Sequence, residues 1–221
     1  MCEKIKILIY TKIPGGEYEN NKENTLFADR TVYLTKLNLT GLNEMYEYSK
    51  LPVFYKYYEY RPHKTINNTK EYILLLQDRI NNGYHGGECM YWFIRLKSTG
   101  KVIGSIGLVA VDFKRKSAEV GLGISPEYWG KGHIFEALWI LLKYCFDELE
   151  LERISALTRS DNISVIRLFE TAGFKVEGTH REAYRKYDGK RYDAVLLGLL
   201  RREATLSRCH AFSKLLLNKK I

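Results

Sequence analysis

The sequence predicts a mixed α/β domain built on one dominant sheet. Three observations predict it. Strand-like apolar runs recur between residues 31 and 200, helical periodicity separates them, and the two interleave in the order β-α-α-β-β-β-α-β-α-β-β. At 221 residues, 45% hydrophobic and 28% charged, the chain is long enough and apolar enough for one well-filled core. No internal repeat and no strong boundary divides it.

The elements follow in order. "KIKILIY" within residues 1–12 reads as a short strand, and the polar Gly/Asn/Glu stretch after it reads as a loop, so residues 1–25 are an appendage. "TVYLTKL" (31–37) alternates as a half-buried strand does. "TGLNEMYEYSKL" (40–51) is helical with Thr40 at its N-cap. Pro52 and Pro62 bracket an aromatic loop, and "NNTKEYILLLQDRINNG" (67–83) is an amphipathic helix closed by Gly83. "CMYWFIRLK" (89–97) and "KVIGSIGLVAV" (101–111) form a hairpin around "STG", and "SAEVGLGIS" (117–125) is a third strand. "HIFEALWILLKYCF" starts a buried helix after two glycines. "RISALTR" (153–159) is a strand, and "NISVIRLFETA" (162–172) is a helix stopped by Gly173. "FKVEG" and "RYDAVLLGLL" are strands flanking the turn "YDGK".

The net charge of +9 suits an anionic partner, but its placement matters more. Residues 201–221 carry six basic residues and one acidic, so about half of the excess lies in a tail. In that tail Leu206, Cys209, Phe212 and Leu215 or Leu216 recur at helical spacing, which predicts a basic amphipathic helix over 204–221. No basic region interleaves with aromatics as RNA-binding motifs do, which argues against nucleic acid as the partner. Cys2, Cys89, Cys145 and Cys209 are too scattered for a zinc site or a disulfide framework, and no metal is expected. Cys89 and Cys145 sit in apolar runs and read as core thiols. No run reaches the ~20 apolar residues of a membrane span, and no leader peptide is legible. A reduced cytoplasm is the expected compartment.

Between Ser125 and the buried helix stands "PEYWGKGH". A helix N-terminus has unpaired N–H groups and a partial positive charge. Gly130 and Gly132 let an anion approach that backbone, and Lys131 adds a mobile cation. The spacing fits neither a nucleotide P-loop nor the dinucleotide fingerprint.

The order "AEVGLGISPEYWGKGHIFEAL", "SDNISVIRLFETAGFKVEG", "REAYRKYDGKRYDAVLLGLL" resembles the GNAT acetyltransferase superfamily, in the branch that includes the ribosomal-protein N-terminal acetyltransferases. The resemblance covers about residues 26–203 and is most specific over 117–200. It implies a central, mostly antiparallel sheet of about seven strands, splayed at its centre and flanked by about four helices. It also implies acetyl-CoA as co-substrate and a primary amine as acceptor: a protein N-terminus, a polyamine, an aminoglycoside or an amino sugar. A homodimer is compatible with it.

By that resemblance the pantetheine arm lies on Leu122, Gly123 and Ile124, with Gly121 and Gly123 forming a bulge. The pyrophosphate meets Gly130, Lys131, Gly132, His133 and Ile134. Trp129, which the resemblance also counts among the cofactor-binding residues, stands where the family usually has Gln or Arg, and Ile134 where it has a small residue. Asn162 and Phe169 lie along the cofactor arm, and Val165 stands where the branch often has Ser. Glu119 is the first candidate for the base, Glu182 and Tyr184 are second candidates, and Tyr184 is also a proton donor for the thiolate. A non-catalytic acyl-CoA-binding or ribosome-associated module is the alternative reading.

Overall fold

Alternation sets the inner faces of the strands. Val32 and Leu34 are fully buried on β2 (Val32–Lys36), as are Ile106 and Leu108 on β4 (Val102–Asp112). The computed structural model describes residues 25–28 and 30–204. The strand of residues 1–12 and the helix of the tail lie outside the described residues.

The remaining strands are β1 (Thr25–Ala28), β3 (Glu88–Leu96), β5 (Ser117–Ile124), β6 (Arg153–Arg159), β7 (Lys175–Arg185) and β8 (Arg191–Leu200). They join in one sheet of order β1-β2-β3-β4-β5-β6-β8-β7. Every neighbouring pair is antiparallel except β5 and β6. The sequence predicts the seven strands β2 to β8, and the eighth is β1. Four residues beside a polar stretch show no periodicity, and β1 exists by pairing with β2.

The helices are α1 (Leu42–Ser49), α2 (Ile66–Asn82), α3 (His133–Lys143) and α4 (Ile163–Thr171). α1 and α2 cover one face of the sheet, where Met45, Tyr48, Ile73 and Leu76 pack on Phe93 and Val102. α3 and α4 belong to the larger core on the other face, and α3 buries Phe135, Leu138, Leu141 and Leu142. Cys89 and Cys145 are buried free thiols, as expected.

Two local expectations are corrected. Thr40 is not an N-cap: Asn38 caps the short 3-10 turn Leu39–Gly41, and its side chain accepts from Thr40 N–H at 2.9 Å. The bulge lies not at Gly121 and Gly123 but in β4, between Val109 and Asp112, with Ala110 at φ 51°. β5 keeps regular register with β4 from Val120 to Ile124. A bulge needs only an extra residue that tolerates the left-handed region, so it does not require glycine.

Glu136 is fully buried on α3, a carboxylate inside an apolar helix. It accepts from Thr31 N at 2.7 Å, Thr31 Oγ1 at 2.6 Å and Val32 N at 3.1 Å, tying α3 to the start of β2. Replacing it leaves three donors short of an acceptor. Glu136→Ala is therefore expected to destabilise the protein by about 3 kcal/mol, a fall in melting temperature of about 6–12 °C for a chain of this size. Glu136→Gln, which keeps one oxygen, is expected to lose less. Equal melting temperatures for Glu136→Ala and the native chain would refute the assignment.

Candidate functional site

β5 and β6 run parallel only over Ser117–Glu119 against Arg153–Ser155, and then diverge. The antiparallel ladder decides which β5 groups face this fork. Ser125 N–H bonds to the Ile103 carbonyl at 2.7 Å, so residues 119, 121 and 123 share that phase and spend their N–H and C=O on β4. Leu122 and Ile124 are the alternate residues, and their polar groups point to the open side. Both carbonyls are already engaged. Leu122 C=O accepts from Tyr58 Oη at 2.9 Å, and Ile124 C=O accepts from Trp129 Nε1 at 3.0 Å. On the other arm, Leu157 C=O of β6 accepts from Tyr184 Oη at 3.1 Å. Two phenols thus satisfy the diverging strands where a ladder would otherwise form.

The segment between α1 and α2 spans this fork. Tyr58 reaches β5, Arg159 of β6 donates to Lys56 C=O at 3.2 Å, and Glu59 accepts from the Arg185 N–H of β7 at 2.9 Å. Arg159 is 5% exposed, paired with Asp161 and set 3.3 Å from the Tyr192 ring centroid. Gly123 fits under the same segment, since a Cβ there would lie 2.6 Å from Tyr58 Oη.

At the far end of β5 the chain turns into α3. Gly130 has φ 71° and Gly132 φ 82°, so the turn itself requires glycine at both. Gly132 is the N-cap of α3 and no side chain caps the first turn. A Cβ on Gly130 would meet nothing within 4 Å. An unobstructed, uncapped helix N-terminus is a fit for phosphate oxygens. His133 turns away from this opening: its Nδ1 lies 3.0 Å from Thr31 Oγ1, and burial holds its pKa below the usual imidazole value. Lys131 Nζ lies 5.3 Å from the Tyr128 ring centroid. Ile134 packs against the main core.

Asn162 is buried at the start of α4, but it makes no side-chain cap; its Nδ2 donates to Thr158 Oγ1 at 3.2 Å. Val165 packs on the core. Phe169 is 2% exposed with its ring 4.9 Å from Phe174, a place in the core beside the start of β7.

Beside the fork lies a cavity of about 500 Å³, lined by Glu59, Tyr84, His85, Ala110, Glu119 and Tyr184 among others. Glu119 opens to it from β5, and the surrounding protein raises its carboxyl above the usual range, partly offset by nearby His85. Burial also pushes the Tyr184 phenol up to about 12, reinforced by Glu119 and Glu59, so it stays protonated at neutral pH. Glu182 lies outside the cavity lining, with φ 52° in a β7 bulge, and its N–H donates to Asp193 Oδ1 at 2.9 Å. The extra residues break strand alternation, so Tyr184 reaches the cavity and Glu182 does not.

The sequence assigns no individual site role to Tyr58, Glu59, His85 or Arg159. Tyr58 and Glu59 fall in the aromatic loop of residues 54–60, which the family resemblance sets on the acceptor side. The others come together across separations that no spacing rule reads.

A family model for the acetyltransferase (GNAT) domain matches residues 31–175. The chain belongs to the GNAT acetyltransferase family. The uncharacterized N-acetyltransferase p20 of Bacillus licheniformis is 30% identical over 179 residues, 81% of this chain and 97% of that protein. A GCN5-related N-acetyltransferase from Brucella melitensis has the same fold, with TM-score 0.74 at 21% identity over 88% of this chain and 86% of its own. A spermidine N-acetyltransferase from Vibrio cholerae, solved with CoA and spermine, gives TM-score 0.66 at 22% identity over 78% and 96%. In this GNAT domain the fork, the uncapped α3 N-terminus and the cavity are contiguous along β5. Among the described residues no cluster of His, Cys, Asp or Glu is placed to hold a metal, and no helix is long and apolar enough to cross a membrane.

Proposed function

We propose that the protein is an acetyl-CoA-dependent N-acetyltransferase that transfers the acetyl group directly to a primary amine. The observation that carries this reading is the fork itself. One β5 edge directs N–H groups to the open side, and it runs from an uncapped helix N-terminus to a cavity holding a raised carboxyl.

The residues fit the co-substrate. Ile124 offers its N–H to a pantetheine amide and Leu122 keeps its N–H for the thioester carbonyl, the carbonyls of both residues being already occupied by Trp129 and Tyr58. The α3 N-terminus with Gly130, Lys131, Gly132 and the backbone of His133 and Ile134 holds the pyrophosphate. Asn162, free of a capping role, faces the arm. Gly123 contributes the space that Tyr58 and Phe54 need.

Bound acetyl-CoA supplies an acetyl thioester whose C–S bond breaks as the C–N bond forms. Glu119, directly or through one water, takes the proton from the amine. Leu122 N–H donates to the developing oxyanion. The Tyr184 hydroxyl gives a proton to the departing sulfur and is restored from Glu119, so the net change moves one proton from nitrogen to sulfur. The alternative reading, a non-catalytic module, draws on Ile134, Val165 and the basic tail; Ile134 and Val165 pack against the main core, Tyr184 takes the proton-donor role that Val165 cannot fill, and residues 205–221 of the tail lie outside the described residues. Two buried free thiols suit a reduced cytoplasm.

The first test is binding. At one hundred times its dissociation constant, CoA is expected to stabilise the fold by ~2.7 kcal/mol, about 5–10 °C in melting temperature. Calorimetry showing no heat with millimolar CoA would overturn the reading. Turnover of acetyl-CoA with a panel of amines then separates an enzyme from a binding module.

A further inference from the structure

The chain carries 35 Lys and Arg against 26 Asp and Glu, yet the acceptor cavity shows the opposite sign. Its lining contains two carboxylates, Glu59 and Glu119, and no Lys or Arg. A cavity of one sign set in a protein of the other is a selector for charge. Glu119 already has an assignment, to the amine that reacts. Glu59 has none. One of its oxygens accepts the Arg185 N–H at 2.9 Å, which fixes the carboxylate without neutralising it. The segment carrying it is pinned on both sides, by Tyr58 to β5 and by the Lys56 carbonyl to Arg159. Glu59, Glu119 and Tyr184 all line this one cavity. The cavity therefore offers two anionic points on rigid supports, one at the fork and one beyond it.

An acceptor with a single amine leaves Glu59 without a counter-ion. An acceptor with a second ammonium pairs with it. The volume of about 500 Å³ suits a small molecule. We propose that the acceptor is a small molecule with at least two amino groups, one reacting at Glu119 and a second held as its ammonium ion by Glu59. This rests on the N-acetyltransferase reading above. A linear polyamine and an amino sugar share this chemistry, and the test tells them apart.

The full chain is assayed at saturating acetyl-CoA with putrescine, spermidine, kanamycin, n-butylamine and a tetrapeptide bearing a free N-terminus. At least one multiply charged acceptor is expected to exceed n-butylamine in kcat/KM by tenfold or more, about 1.4 kcal/mol. Spermidine leading identifies a linear polyamine, and kanamycin leading an amino sugar. Glu59→Gln, which keeps shape and loses charge, is expected to lower the multiply charged to monoamine ratio at least tenfold, mainly through KM. The inference is overturned if n-butylamine or the tetrapeptide matches the best multiply charged acceptor, or if Glu59→Gln leaves the ratio unchanged. If CoA binds but no amine is acetylated, the enzyme reading fails separately. Calorimetry of spermidine and kanamycin on the CoA-loaded protein then decides the inference, with Glu59-dependent binding supporting it and no binding overturning it. Should Glu59→Gln not fold, the native preference among the five acceptors decides alone.

Discussion

Glu119→Gln is expected to lower kcat/KM for amine acetylation by about 10²–10⁴-fold, the usual contribution of a positioned general base, while the protein keeps its fold and its affinity for CoA. Gln matches the shape of Glu119 but cannot take a proton, and Glu119 lies outside the surface assigned to the co-substrate. The pH profile gives a second, independent readout. Burial raises the Glu119 carboxyl above the ordinary carboxylate range, with His85 drawing it partly back. A base works in its deprotonated form, so kcat/KM should fall as pH drops through this raised value. The acid limb then begins at a higher pH than an ordinary Glu would give, and Glu119→Gln should abolish it. Native activity in Glu119→Gln, or an acid limb that survives the substitution, would exclude Glu119 as the base.

Gly121→Val is expected to separate folding from activity. Gly121 lies on β5 in step with Glu119 and Gly123, on the α1–α2 face of the fork, and its φ is outside the left-handed region. A Cβ there meets nothing within 4 Å. Valine also suits a strand. The melting temperature should therefore stay within about 2–4 °C of native, the shift that 1 kcal/mol produces in a chain of this size. The two methyl groups nevertheless stand on the α1–α2 face of β5 beside Leu122, where the proposed reaction brings the thioester and the amine together. A loss of about 10²-fold or more in acetyl transfer is expected, as for misplacement of reacting groups. Gly123→Val is the control: its Cβ lies 2.6 Å from Tyr58 Oη, so it should lose stability as well as activity. Gly130 and Gly132 are poorer probes, since their positive φ strains any other residue before a ligand is considered. Full activity in a well-folded Gly121→Val would remove the fork as the reaction site.

Periodicity and punctuation were enough to place seven of the eight strands and all four helices, because all of these elements except β7, which is exposed along most of its length, bury an apolar face of their own. β6 over Arg153–Arg159 and the stop of α4 at Gly173, φ 99°, coincide with the sequence reading. The glycine loop before α3 was equally legible, since a positive φ at Gly130 and Gly132 leaves a residue-type signature. Other features were decided only by the tertiary structure. β1 needed β2 as its partner. The bulge fell on Ala110 rather than on the β5 glycines, and the β7 bulge turned Tyr184 into the cavity and Glu182 out of it. Phe169 went to the core, and Trp129 turned its indole N–H to Ile124. Glu59, His85 and Arg159 joined the site across separations of up to 126 residues. The physical reason is common to all of these. Local pattern records which face of a segment avoids water, whereas hydrogen-bond phase, bulge position and the convergence of charges depend on which segments meet.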